Sequence, residues 1–115
     1  LVLSHNPIGP EAVNCIGSSL LVNDTLKVLE LADVALLAQH SSFGLHGVCA
    51  GIKTNKSLTK LDLRNNSLTD HHVIDIAHVL MLNTTLTDLD LSGNTITKIW
   101  FTDYTYIPTY ILPEM

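Results

Sequence analysis

Hydrophobic positions along the chain follow two alternating periods. Short stretches carry apolar residues two apart: "LVL" at 1–3, "LEL" at 29–31, and "LDL" at both 61–63 and 89–91. Period two predicts a strand with one buried face. Between them, apolar residues recur every three or four positions in "AVNCIGSSLLVN" (12–23), "LHGVCAGIKTN" (45–55) and "VIDIAHVLMLN" (73–83). That spacing predicts helices with the stripes Val13, Ile16 and Leu20; Leu45, Val48 and Ile52; and Val73, Ile76 and Leu80 facing the strands.

The alternation is a repeat. "LVLSHNPIG" (1–9), "LKVLELADVAL" (26–36), "LTKLDLRNNSL" (58–68) and "LTDLDLSGNTI" (86–96) align on Leu1, Leu29, Leu61 and Leu89. They align again on Leu3, Leu31, Leu63 and Leu91, and on Ile8, Leu36, Leu68 and Ile96. The register steps are 28, 32 and 28 residues, a unit of 28 with four extra residues in the second copy. Such periodicity is decisive for fold, because no single unit buries its apolar face without its neighbours.

The spacing LxxLxLxxNxL resembles the leucine-rich repeat, and its 28-residue period is similar to the ribonuclease-inhibitor-like subtype, also found in NOD-like receptors and the GTPase-activating protein of Ran. The resemblance implies an α/β solenoid: a right-handed β-α superhelix with a parallel concave sheet and convex helices. It divides the chain into repeats 1–28, 29–60, 61–88 and a partial 89–98, followed by an atypical segment 99–115. Asn6, Asn66 and Asn94 are expected to turn their amides inward and satisfy the backbone of each bend. Asn23, Asn55 and Asn83 follow each helix at one register, where a residue tolerant of the left-handed conformation is useful.

The chain departs from its own pattern in three places. Val34 stands where the other copies carry Asn, so a neighbouring group or water must satisfy that bend. The four extra residues fall around "LLAQHSSFG" (36–44), which reads as a loop between bend and helix, a tolerated surface insertion before a functional one. After Ile96 the segment "TKIWFTDYTYIPTYILPEM" places Pro108 where a helix interior is due. Five of the chain's six aromatic residues, Trp100, Phe101, Tyr104, Tyr106 and Tyr110, crowd there. Two readings of this tail stand: a cap over the last repeat, or a non-native end with exposed aromatic residues. At the other end "LVL" is an edge strand with no preceding cap, which makes the chain a piece of a longer solenoid or leads it to self-associate.

Composition narrows the partner. With 46% hydrophobic but only 5% aromatic residues, the core must be aliphatic. Eleven acidic against six basic residues give a net charge of −5, which argues against nucleic acid and favours a partner with a basic surface. The longest apolar run, "VALLA" at 34–38, is too short to span a membrane. Cys15 and Cys49 fit neither a disulfide framework nor a metal-ligand spacing, so a reducing, cytoplasmic compartment is expected. Asn-x-Ser/Thr occurs at 23–25, 55–57, 65–67 and 83–85, but three of these fall on the recurrent helix-end asparagine and have a structural origin.

Strand residues alternating with the buried leucines face outward on the concave side. In register they form the columns Val2, Glu30, Asp62, Asp90; Ser4, Ala32, Arg64, Ser92; and Val28, Lys60, Asp88. Three carboxylates on successive rungs, about 5 Å apart in a parallel sheet, repel one another unless Lys60, Arg64 or a cationic partner compensates. The candidate partner-binding residues are therefore Glu30, Lys60, Asp62, Arg64, Asp88 and Asp90. "DHH" at 70–72 and His78 supply no third metal ligand at a fixed spacing and read as surface histidines. No nucleophile elbow or phosphate-binding loop is present, so neither catalytic residues nor cofactors are expected. These readings converge on a non-enzymatic protein-interaction module, part of a larger protein. A GTPase regulator like the Ran-activating family is the alternative, which a stimulated GTP-hydrolysis assay separates.

Overall fold

A computed structural model describes residues 1–96; the expectations for the tail at 99–115, and for the fourth copy after Ile96, fall outside the described residues. Within them the order is α1 (Gly9–Ser19), β1 (Val28–Glu30), a 3-10 turn (Ala38–His40), α2 (Phe43–Thr54), β2 (Lys60–Asp62), α3 (Asp70–Leu80) and β3 (Asp88–Asp90). The strands make one parallel sheet in the order β1-β2-β3. Val28, Lys60 and Asp88 pair in one row, as do Leu29, Leu61 and Leu89, and Glu30, Asp62 and Asp90. Val2 extends the row by a parallel bridge to Glu30. The repeat register read from the leucines is thus the sheet register, and the chain is an α/β repeat fold.

Alternation puts Leu29, Leu31, Leu61, Leu63, Leu89 and Leu91 into the core, each at 1% exposure or less. The helix stripes meet them there: Val13, Leu20, Leu45, Val48, Ile52, Val73 and Ile76 are buried, with Ile16 and Leu80 half-buried against them. Close approach of α1 and α2 depends on glycine. A Cβ on Gly17 would collide with the backbone of Gly47 and Val48, and one on Gly51 with the Gly17 carbonyl. Helix α1 ends at Ser19, one residue before the last of its stripe, and α3 ends on the last of its own, Leu80.

Two asparagine ladders fix where the sheet begins and ends. At the strand exits, Asn66 Nδ2 donates to the carbonyls of Leu31 (2.8 Å), Leu63 (3.2 Å) and Arg64 (3.1 Å), and its Oδ1 accepts the Val34 N–H (3.1 Å). Asn94 repeats this one rung on, donating to Leu63 and Leu91 and accepting from the amides of Asn66 and Leu68. Each amide therefore serves the preceding rung as well as its own. That is how the bend at Val34 is satisfied: Asn66, not water, holds its N–H. Among the described residues Asn6 donates to Leu3 and Ser4 alone, and it is exposed.

The helix-end asparagines differ from expectation. None of Asn23, Asn55 and Asn83 has a positive φ; Asn55 is extended at φ −66° and ψ 137°. They form a second ladder at the strand entries instead. Asn55 Oδ1 accepts the N–H groups of Ser57 and Leu58, while its Nδ2 donates to the carbonyls of Leu20 and Asn23. Asn83 does the same for Thr85, Leu86, Ile52 and Asn55. An extended backbone is what aims the amide across the rungs. Left-handed residues sit at the bends instead, where His5, Asp33, Asn65 and Gly93 occupy one column with φ between 52° and 72°.

Candidate functional site

The strand face brings all six candidate residues into one shallow cavity of about 200 Å³, lined by Glu30, Lys60, Leu61, Asp62, Arg64, Asp88 and Asp90. Arg64 organises it. Its Nε donates to both Asp62 oxygens at 3.0 Å, its terminal nitrogen lies 2.9 Å from Asp62 Oδ2, and Nε lies 3.6 Å from Asp90 Oδ2. Asp62 Oδ1 also accepts the Arg64 backbone N–H at 3.0 Å, and Asp90 Oδ1 accepts that of Ser92 at 3.0 Å. The hydrogen bond and charge of Asp62, reinforced by Asp90 and Glu30, raise the Arg64 pKa above its ordinary value. The repulsion expected along the acidic column is thus relieved within the chain, by one guanidinium reaching two rungs.

Asp62 is the exception to the expectation that these six side chains stand open to a partner. At 4% exposure it lies beneath Arg64, because a carboxylate flanked by two like charges gains most by turning onto the nearest guanidinium. Lys60 and Arg64 are exposed, and Glu30, Asp88 and Asp90 are partly so. Glu30, Lys60 and Asp88 make no side-chain hydrogen bond or ion pair among the described residues. The surface therefore presents two carboxylates and one ammonium without side-chain hydrogen bonds around a fixed Asp62–Arg64–Asp90 relay.

Sequence reasoning missed a second concavity, on the bend edge. A cavity of about 420 Å³ lies among His5, Asp33, Ala35, Leu37, Asn65 and Ser67, and one of about 370 Å³ among Leu37, Gln39, His40, Ser67, Thr69 and His72. Leu37 and Ser67 line both, and Ala38, Gln39 and His40 of the longer second copy line one or the other, so the insertion shapes this edge. Asp33 and His5 pair across it at 3.4 Å. The signal available in the sequence was the column before each ladder asparagine, whose His, Asp, Asn and Gly are the types that tolerate a left-handed backbone.

Among the described residues, no group of three His, Cys, Asp or Glu side chains is placed to hold a metal ion. Nor is any described helix long and apolar enough to cross a membrane. Cys15 is exposed, whereas burial, with Asp75 adding to it, pushes the Cys49 thiol up to about 12.

The fold and this strand face define an α/β repeat protein that carries leucine-rich repeats. Family models described as Leucine Rich Repeat match residues 57–79 and 82–98. Among solved structures, the chain is similar to leiomodin-1 actin-binding site 2, with a TM-score of 0.70 and 23% identity over 84% of this chain and 53% of that one. It is also similar to the tropomodulin C-terminal domain of Caenorhabditis elegans, with a TM-score of 0.60 and 15% identity over 76% of this chain and 49% of that one. The chain thus spans about half the length of the solved chains it matches. No curated protein matches the sequence.

Proposed function

We propose that this chain is a non-enzymatic protein-interaction module that binds a partner protein through the concave strand face of a leucine-rich-repeat solenoid. Its repeats are 1–28, 29–60, 61–88 and the partial 89–98, of the ribonuclease-inhibitor-like subtype, and it forms part of a larger cytoplasmic protein. The observation that carries this reading is the gathering of six charged side chains from three rungs on one face, three of them making no side-chain hydrogen bond or ion pair among the described residues. An open face of this kind suits another protein's surface rather than an enclosed small molecule. A net of four carboxylates against two cations favours a basic patch on the partner. The leiomodin-1 segment it resembles is described as an actin-binding site, so actin is the first defined partner to try.

The test compares the wild-type chain with a Glu30→Lys, Asp88→Lys variant shown by circular dichroism to be folded. Both are used for capture from cytosol and for co-sedimentation with actin filaments. Asp62 is left intact because it is buried. Partners retained by wild type and lost by the variant support the strand face. Equal capture by both sinks the assignment of that face, and actin binding that ignores the variant places actin elsewhere on the molecule.

A further inference from the structure

Helix α3 opens on an unusual cap. Thr69 precedes its first turn in the extended conformation, and the Thr69 N–H donates to His72 Nδ1 at 3.0 Å. The third helical position of such a capping box ordinarily carries Glu or Gln, whose side chain keeps its acceptor near neutral pH. Here the acceptor is an imidazole nitrogen with no proton. Thr69 Oγ1 also lies 3.0 Å from the same nitrogen. The ring stands beside the cavity of about 370 Å³ between the Ala38–His40 turn and the start of α3, a cavity lined by both Thr69 and His72.

We propose that the Thr69–His72 contact is an acid-sensitive latch that caps the first turn of α3, and that protonation of His72 releases it. A proton on Nδ1 turns the acceptor into a donor, so the Thr69 N–H faces another N–H and loses its partner. Nδ1–H keeps only the Thr69 hydroxyl oxygen as acceptor. The new positive charge also sits at the positive end of the helix dipole. The groups around the ring agree in sign, apart from one. Burial lowers the His72 pKa from the ordinary 6.5, His71 with its ring 6.0 Å away and His46 on α2 lower it further, and Asp75 opposes them. His40, from the inserted turn, lines the same cavity.

Because the folded chain binds this proton less readily than the unfolded one, the latch's contribution to stability is complete above about 6.5 and is lost as pH falls below that value toward the lower folded pKa. The outcome is a fold in which the start of α3, on the wall of the bend-edge cavity, loosens on acidification.

The experiment follows amide exchange by NMR on the full chain between pH 7.5 and 5, corrected for intrinsic exchange. It includes His72→Gln, which keeps a neutral acceptor, and His71→Gln. Wild type and His71→Gln should lose Thr69 protection roughly three- to tenfold on acidification, the range expected when one hydrogen bond is removed, and His72→Gln should stay flat. Equal pH responses in wild type and His72→Gln overturn the latch, as does a flat wild-type profile. The imidazole nitrogen shifts of wild type provide a check independent of any variant's folding. Nδ1 must be unprotonated at pH 7.5, and a proton found there overturns the proposal.

Discussion

Replacing Asn66 with alanine tests the ladder most directly. Asn66 is 4% exposed, and its loss strips the acceptor from the Val34 N–H and one donor from the Leu31 carbonyl, both in the buried bend of the preceding rung. A buried backbone group left unpaired costs roughly 1–3 kcal/mol, so two such groups imply about 3 kcal/mol, with the Leu63 and Arg64 carbonyls adding little because they retain access to other partners or solvent. A domain of this size shifts its melting temperature by roughly 4–8 °C for each kcal/mol, so a fall of about 12–24 °C is expected. The matched control is Asn6→Ala. Asn6 makes the equivalent bonds to its own rung, at Leu3 and Ser4, but reaches no preceding one and is exposed, so water replaces it for less than about 1 kcal/mol. Urea unfolding of the three proteins, with equal slopes, isolates the difference. If Asn66→Ala and Asn6→Ala shift the midpoint equally, the amides act only within their own bend and the cross-rung account is wrong.

Two further expectations follow from the same geometry. Val34→Asn puts an amide at a fully buried position yet should stay within about 1 kcal/mol of wild type, because the Ile8 N–H now bonds only the Asn6 carbonyl and the new side chain has a ready partner in the first rung; a urea midpoint as low as that of Asn66→Ala would contradict this. At pH 8 iodoacetamide should label exposed Cys15 and spare Cys49, whose thiol is pushed up to about 12 by burial, with both labelled in urea; mass spectrometry showing Cys49 labelled at the same rate in the folded chain would refute its burial.

The fold was legible because its determinant is a period, and a period survives local irregularity. Leu29, Leu61 and Leu89 announce the strand register without any knowledge of what lies opposite them, and the sheet pairs those residues. The helix-end asparagines were located correctly and explained wrongly. Their recurrence is visible in sequence, but choosing between a left-handed helix end and a cross-rung amide requires knowing which carbonyls lie within reach. The site shows the same division. Alternation alone puts Glu30, Asp62 and Asp90 in one column, whereas the burial of Asp62 depends on Arg64 folding back over its own strand, a side-chain choice that no spacing encodes. The bend-edge cavities were out of reach for a related reason: an insertion announces its length but not its path. Only the left-handed column of His5, Asp33, Asn65 and Gly93 could have been read in advance.

The two ladders hold the strand face proposed for partner binding in place despite the missing asparagine. The lack of an amide at position 34 is compensated at its own rung, where Asn66 holds the Val34 N–H and the Leu31 carbonyl and the His5 N–H holds the Ala32 carbonyl. It is felt one rung earlier, where the Ile8 N–H bonds only the Asn6 carbonyl, at 2.7 Å. The charged face spans β1 to β3, and those strands are pinned at their entries by Asn23, Asn55 and Asn83, which hold the amides of Leu26, Leu58 and Leu86. At their exits, Asn66 and Asn94 close the bends after β1 and β2. The defect is therefore displaced toward Asn6 and Ile8, while Glu30, Lys60, Asp88 and the Asp62–Arg64–Asp90 relay sit on strands held at entry and, for β1 and β2, at exit. Charges fixed in this way lose less conformational entropy when a partner arrives, which is the advantage a rigid repeat surface has over a loop in binding.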